Sequence, residues 1–336
     1  MKRILVTGCG GFLGSEIARQ LIARGDEVIG YARGNYPALG SLDIRWVRGD
    51  VRDGEMLAQT CRGVDAVIHT AAVAGLWGPW DHFHSINTVG TRNVIAACLQ
   101  AGVGVLVHCS SPSVTFDGGH QSGIDESVPL AARHLCHYSN TKALAESDVL
   151  AAHRPGSLQT AALRPHLIWG VGDPHLLPRL VDRAKSGRLA IVGDGRNRID
   201  TVHVKNAAHA HVLALDQLLQ HDRSPAGGRA YFISQGEPVE CEAWITQLLD
   251  AAGIGPPRRR IGSKAAWRIG ATFEAAYRVA RLHREPPMTR FLAAQLACDH
   301  YFDLTAAREL LGYVPLVSTK EGLEELRTYF SAHAQG

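Results

Sequence analysis

The turn Thr7-Gly8-Cys9-Gly10-Gly11-Phe12-Leu13-Gly14 constrains this chain more than any other feature. It follows a run of β-formers, Arg3–Thr7. It opens a stretch, Gly11–Arg24, in which Phe12, Ile17, Leu21 and Ile22 recur at helical spacing. Gly8 allows the tight turn, Gly11 lets backbone N–H groups approach a pyrophosphate, and Gly14 lets helix and strand pack closely. The helix N-terminus adds partial positive charge. Phe12 and Leu13 lie in the same turn, beside the expected dinucleotide. A bland glycine-rich turn is the competing reading, and the placement between strand and helix weighs against it.

Further β-forming runs follow at Glu27–Tyr31, Ile44–Val47, Asp65–His69, Val103–His108 and Ser157–Leu163. Helical periodicity appears over Ser85–Ala101 and from Tyr138 to Ala152. This alternation predicts an α/β fold, a Rossmann-type doubly wound parallel sheet covered on both faces. Beyond Arg164, Pro and Gly become frequent and strands such as Leu189–Val192 are short. Residues 1–165 therefore read as an NADP-binding domain carrying the catalytic residues. Residues 166–336 read as a smaller substrate-binding lobe with elements returning to the first. A length of 336 residues suits two units, and 46% hydrophobic with 20% charged residues argues against disorder.

Strand two ends Val28-Ile29-Gly30-Tyr31-Ala32-Arg33. NAD binders usually place a carboxylate there for the ribose 2′-hydroxyl. Ala32 holds that position and Arg33 follows, so a 2′-phosphate would meet a guanidinium instead of a repelling charge. The expected cofactor is NADP(H); the alternative is that Arg33 is a solvated loop residue. Asp50-Val51 is placed to meet the adenine, and the small Ala71-Ala72 after strand four to admit the cofactor backbone.

Tyr138-Ser-Asn-Thr-Lys142 puts a phenol and an ammonium on one helix face. A cation beside a phenol favours the phenolate; moving a Tyr from about 10 toward 7 takes roughly 4 kcal/mol. Lys142 together with an oxidised nicotinamide is expected to supply it. Tyr138 would then exchange a proton with a substrate oxygen. The strand end Cys109-Ser110-Ser111-Pro112-Ser113 offers hydroxyls to hold that oxygen, with Ser111 the first choice and Ser110 and Ser113 the others.

These motifs resemble the extended short-chain dehydrogenase/reductase superfamily, also called the NAD-dependent epimerase/dehydratase superfamily, over nearly the whole chain. The match rests on Thr7-Gly-x-Gly-Gly-Phe-x-Gly14, Gly49-Asp50-Val51-x-Asp53, His69-Thr-Ala-Ala72, Asn87-x-x-Gly90-Thr91-x-Asn93-Val94, Ser110-Ser111, Tyr138-x-x-x-Lys142, Leu163-Arg164-Pro165 and Val202-His203-Val204-x-Asn206. The resemblance implies a Ser–Tyr–Lys catalytic set of Ser111, Tyr138 and Lys142. It also implies a nicotinamide ribose held by Lys142, Pro165 at the cofactor, hydride transfer at nicotinamide C4, and a homodimer through a four-helix interface. Gly75-Leu-Trp-Gly-Pro-Trp80, Ser-Ser-Pro-Ser-Val-Thr-Phe116 and Asp299-His-Tyr-Phe-Asp303 are similar to the 3β-hydroxysteroid dehydrogenase-like branch. Within it, Trp77–Asn87 and Pro286–Asp303 resemble the bacterial 2-alkyl-3-oxoalkanoate reductases of long-chain olefin biosynthesis.

A bulky apolar 3-oxo substrate is therefore expected, with Trp77, Trp80 and Ser113 as candidate pocket residues. Sterol dehydrogenation, nucleotide-sugar epimerisation and a non-catalytic NADP sensor are the competing functions. A net charge of +3 does not suit a nucleic-acid binder. Nine Lys/Arg against two Glu give residues 256–290 a charge of +7. If Ala266–Ala280 is helical, Ile269, Phe273, Ala276, Tyr277 and Ala280 share one face, opposite Lys264, Arg268 and Arg278. Such a helix could lie on a membrane, grip a partner enzyme or cap the pocket. Seven widely spaced Cys without a CxxC, and no export or membrane-spanning run, predict a cytoplasmic protein with reduced thiols. The His pairs lack a clear third ligand, so no metal is expected.

Overall fold

The computed structural model describes residues 1–333. The first half runs β1 (Arg3–Thr7), α1 (Phe12–Ala23), β2 (Glu27–Ala32), β3 (Ile44–Arg48), α2 (Gly54–Thr60), β4 (Ala66–His69), α3 (Trp80–Phe83), α4 (Gly90–Ala101), β5 (Val105–Cys109), β6 (Gln121–Ile124), α5 (His137–Ala151) and β7 (Gln159–Pro165). Seven parallel strands form one sheet in the order Arg229–Ile233, β7, β5, β4, β1, β2, β3. The chain order reverses between β1 and β4. The loops leaving these two strands diverge, which opens the crevice where α/β sheets bind ligands.

The alternating direction of strand side chains explains the two-faced cover. Ile4 and Val6 of β1 pack with Ile17 and Leu21 of α1 on one face, while Leu5 packs with Leu57 and Val94 on the other. The predicted helix over 85–101 is not uniform: a π-helical turn, His84–Val89, precedes α4. That wide turn carries Asn87, whose amide oxygen accepts from Val73 N–H at 2.8 Å and whose Nδ2 donates to Thr141 Oγ1 at 3.1 Å. Asn87 thus ties the loop after β4 to α5. Such turns recur at functional sites.

The second half holds α6 (Leu176–Lys185), α7 (Val204–Gln220), α8 (Cys241–Ala251), α9 (Ser263–Val279) and α10 (Arg290–Ala297). α7 and the strand Arg229–Ile233 join the large sheet, whereas Trp244 and Leu248 of α8 build a separate core with Trp169 and Leu326. The strand His300–Phe302 pairs with β6. Among the described residues no helix is long and apolar enough to cross a membrane.

The expected basic helix forms as α9, but the face it buries is Ala266, Gly270 and Glu274, and Ile269 stays 40% exposed. The reason is its docking onto α10. Gly270 meets the backbone of Thr289 so closely that a Cβ would lie 2.6 Å from its carbonyl carbon. The Glu274 carboxylate accepts from Arg290 N–H at 2.7 Å and from Arg290 Nε at 2.8 Å.

Candidate active site

The glycine turn is built as a cradle. Gly8 has φ +73°, and a Cβ there would stand 2.7 Å from Ala71 N; a Cβ on Gly14 would collide with Gly8 O. A Cβ on Gly11 would meet only Gly8 O, at 3.2 Å, so the space beside it is open. The residues therefore fit a dinucleotide phosphate bridge at the start of α1. One cavity on this side is lined by Gly8, Gly11, Tyr31, Ala32, Arg33, Tyr36, Asp50, Val51, Thr70, Ala71 and Ala72. Asp50 is held by Arg52 through two bonds, at 3.0 and 2.7 Å, which keeps its carboxyl below the usual carboxylate range. The Arg33 guanidinium stays largely exposed at the rim, 4.0 Å from Asp50.

A larger cavity continues from the turn. Gly14, Phe12 and Leu13 line one end, and Ser111, Ser113, Tyr138, Lys142 and Pro165 line the middle. The structure thus brings the glycine turn and the Ser–Tyr–Lys residues to one cleft. The strand end separates the three serines. Ser110 Oγ donates to the buried Glu146 at 2.6 Å and is spent there. Ser111 Oγ faces Ser113 Oγ at 2.9 Å and accepts from Ser113 N–H at 3.2 Å.

The phenol–ammonium pairing departs from the sequence expectation. Lys142 is buried, and its Nζ donates to the Cys109 carbonyl at 2.5 Å and lies 3.2 Å from His108 Nε2. Burial lowers its ammonium from the ordinary lysine value. The protein groups alone do not lower the Tyr138 phenol toward 7. Burial, with Cys109 and Cys136 nearby, pushes it up, and only Ser111 acts the other way. The physical cause is the desolvated phenolate, while the ammonium has turned toward the end of β5.

The two tryptophans also stand elsewhere. Trp77 Nε1 donates to Leu282 O at 2.9 Å and its ring meets Tyr277 edge-on, while Trp80 stacks on His84. Leu76 stands in the cavity wall instead, with Thr70, Ala72 and Ala74 of the same loop. The segment after α9 covers the loop, with Glu285 accepting from Leu76 N–H at 3.4 Å and pairing with Arg179. Sequence reasoning missed Thr70, Gln121, His166, Asp173, His175, Leu176, Phe291, Gln295, His300 and Phe302, which also stand in the walls. His166 follows Pro165 directly, and that adjacency was the available signal.

A sequence profile of the 3-beta hydroxysteroid dehydrogenase/isomerase family matches residues 5–261. The chain belongs to this family. It is 46% identical over 333 residues to a 2-alkyl-3-oxoalkanoate reductase of Stenotrophomonas maltophilia, covering 98% of this chain and 100% of that one. It is 32% identical over 330 residues to the human sterol-4-alpha-carboxylate 3-dehydrogenase (decarboxylating), covering 96% and 87%. Among solved structures, MoeE5 in complex with UDP-glucuronic acid and NAD superposes with a TM-score of 0.76 at 25% identity, over 98% of this chain and 99% of that one. Like other members of the 3-beta hydroxysteroid dehydrogenase family, the protein is an oxidoreductase acting on CH–OH groups with a nicotinamide cofactor.

Proposed function

We propose that the protein reduces 2-alkyl-3-oxoalkanoates to 2-alkyl-3-hydroxyalkanoates with NADPH, a step of long-chain olefin biosynthesis. The observation that carries this is the end-to-end similarity to the Stenotrophomonas reductase, joined to a cleft in which Ser111 and Tyr138 meet apolar walls from Leu76, Leu176, Phe291 and Phe302. A nicotinamide dinucleotide held at Gly8, Gly11 and Gly14 would supply the hydride. The phenol, held above its ordinary range, keeps its proton at neutral pH and gives it to the carbonyl oxygen as that oxygen gains charge. Ser111 Oγ accepts from Ser113 N–H, and with Ser113 Oγ as the donor of the 2.9 Å hydroxyl pair the Ser111 hydrogen is left to bind the same oxygen. Lys142, anchored on the Cys109 carbonyl, places a cation at the floor of the cleft. Arg33 supports NADPH over NADH through charge at the adenosine end.

A sterol-4-carboxylate is the second reading, favoured by the similarity to the human enzyme. The experiment is turnover of a 2-alkyl-3-hydroxy acid with NADP⁺ beside a 4-carboxysterol. Oxidation of the sterol alone overturns the first reading.

A further inference from the structure

The cavity contains a pair of histidines that the proposed chemistry leaves unused. His300 Nε2 lies 2.6 Å from the Gln295 carbonyl, which can only accept, so that nitrogen carries the hydrogen. Burial holds both rings in the neutral form, so His300 Nδ1 offers a lone pair. His166 Nε2, 2.7 Å away, must therefore be the donor to it. The chain Gln295 O, His300, His166 fixes the tautomer at each step and leaves His166 Nδ1 without a hydrogen. No hydrogen bond to that atom is found among the described residues, and the His166 ring stands in the wall of the cavity that holds Ser111 and Tyr138.

We propose that His166 is the subsite for the substrate carboxylate, and that binding the acid delivers one proton to its Nδ1. The claim rests on the oxoacid reading above and extends it to the group that distinguishes an oxoacid from a plain ketone. Several of the other cavity groups are committed. Gln121 Nε2 donates to Thr115, Lys142 is held by Cys109, and both nitrogens of His300 are used. Asp173, the acid in the wall, accepts from the N–H groups of His175, Leu176 and Leu177 at 2.8, 3.1 and 2.8 Å, so the α6 terminus offers no anion site. His300 is the one titratable group whose charge acts on His166 among the described residues. Its backing bond stabilises an imidazolium at His166 once a carboxylate stands in front, as an orienting acceptor does behind any working histidine. The proton balance is simple: a carboxylate in solution plus a neutral ring takes one proton from the medium and becomes a carboxylate–imidazolium pair.

The test uses 2-hexyl-3-hydroxydecanoic acid and its methyl ester, oxidised by the wild type and by His166→Gln with NADP⁺. The variant should raise KM for the acid roughly ten- to a hundredfold with little change in kcat, and leave the ester unchanged. For the wild type, KM of the acid should climb with pH while that of the ester stays flat. Calorimetry of acid binding to the enzyme–NADP⁺ complex in two buffers of different ionisation enthalpy should read uptake of close to one proton. Equal losses on acid and ester in the variant, or binding without proton uptake, overturn the subsite. If neither compound is oxidised, the proposed reaction falls, and proton uptake on binding the acid still decides for or against His166.

Discussion

Ser110 Oγ donates to Glu146 Oε2 at 2.6 Å inside the protein, and Arg164 grips the same carboxylate at 2.6 and 3.0 Å. Three residues in sequence, Ser110, Ser111 and Ser113, thereby divide their labour. The first braces β5 against α5 and β7; the other two face the cleft.

That division predicts opposite outcomes for two neighbouring substitutions. Ser111→Ala should lower kcat about a hundredfold, the scale of one lost transition-state hydrogen bond, at a cost of no more than about 1 kcal/mol of stability from the lost cap on Ser113 N–H. Ser110→Ala should keep most of kcat and cost about 1–2 kcal/mol of stability, by removing one bond from a buried carboxylate. Steady-state kinetics and urea unfolding on both variants check it; a larger kcat loss in Ser110→Ala reverses the assignment.

The raised phenol sets a pH dependence that differs by direction of reaction. Reduction needs the protonated phenol, which is present at every pH below its raised value. Its rate should therefore stay flat through pH 6–9, at saturating NADPH and with a neutral ketone. Oxidation needs the phenolate, so its rate should rise with pH, approaching tenfold per unit. A reduction rate that falls as pH rises through about 7 would show that the phenol is lowered during turnover. Tyr138→Phe should abolish both reactions with the dinucleotide still bound.

Cofactor choice can be read at Arg33. Its guanidinium is exposed and only 4.0 Å from Asp50, so its cost of engaging a 2′-phosphate is small. Arg33→Ala should lower kcat/KM for NADPH about ten- to a hundredfold and leave NADH within about twofold, the worth of a charge-assisted hydrogen bond. An unchanged NADPH/NADH ratio would refute the role.

The first half of the chain was legible because its signals are local. The strand Arg3–Thr7, the glycine turn and the helix to Ala23 are written in consecutive residues, and so are the parallel strands that follow. The cleft wall was not, because His300 reaches His166 across 134 positions and Leu76 enters while its larger neighbours Trp77 and Trp80 turn away. Periodicity says that a tryptophan is apolar, not which of two apolar surfaces will cover it. The ammonium's partner was hidden for a similar reason: spacing four apart places Lys142 on the right face, but the carbonyl of Cys109, brought in by another strand, claims its ammonium.

The contact between α9 and α10 gives the cleft a remote dependence. Phe291 and Gln295 of α10 stand in the cavity wall, and α10 is fixed by Gly270 and Glu274 of α9. A methyl at Gly270 would meet backbone atoms of Thr289 and Arg290 at 2.6 and 2.8 Å, which cannot swing aside as a side chain can. Gly270→Ala should therefore cost about 1–3 kcal/mol, as overpacking does. It should also shift α10, raising KM for long-chain substrates more than for short ketones while the affinity for the dinucleotide, whose glycine turn α10 does not carry, holds. Paired measurements on a long and a short ketone decide it: equal changes in KM would mean that the strain is absorbed within α9 and never reaches the cavity.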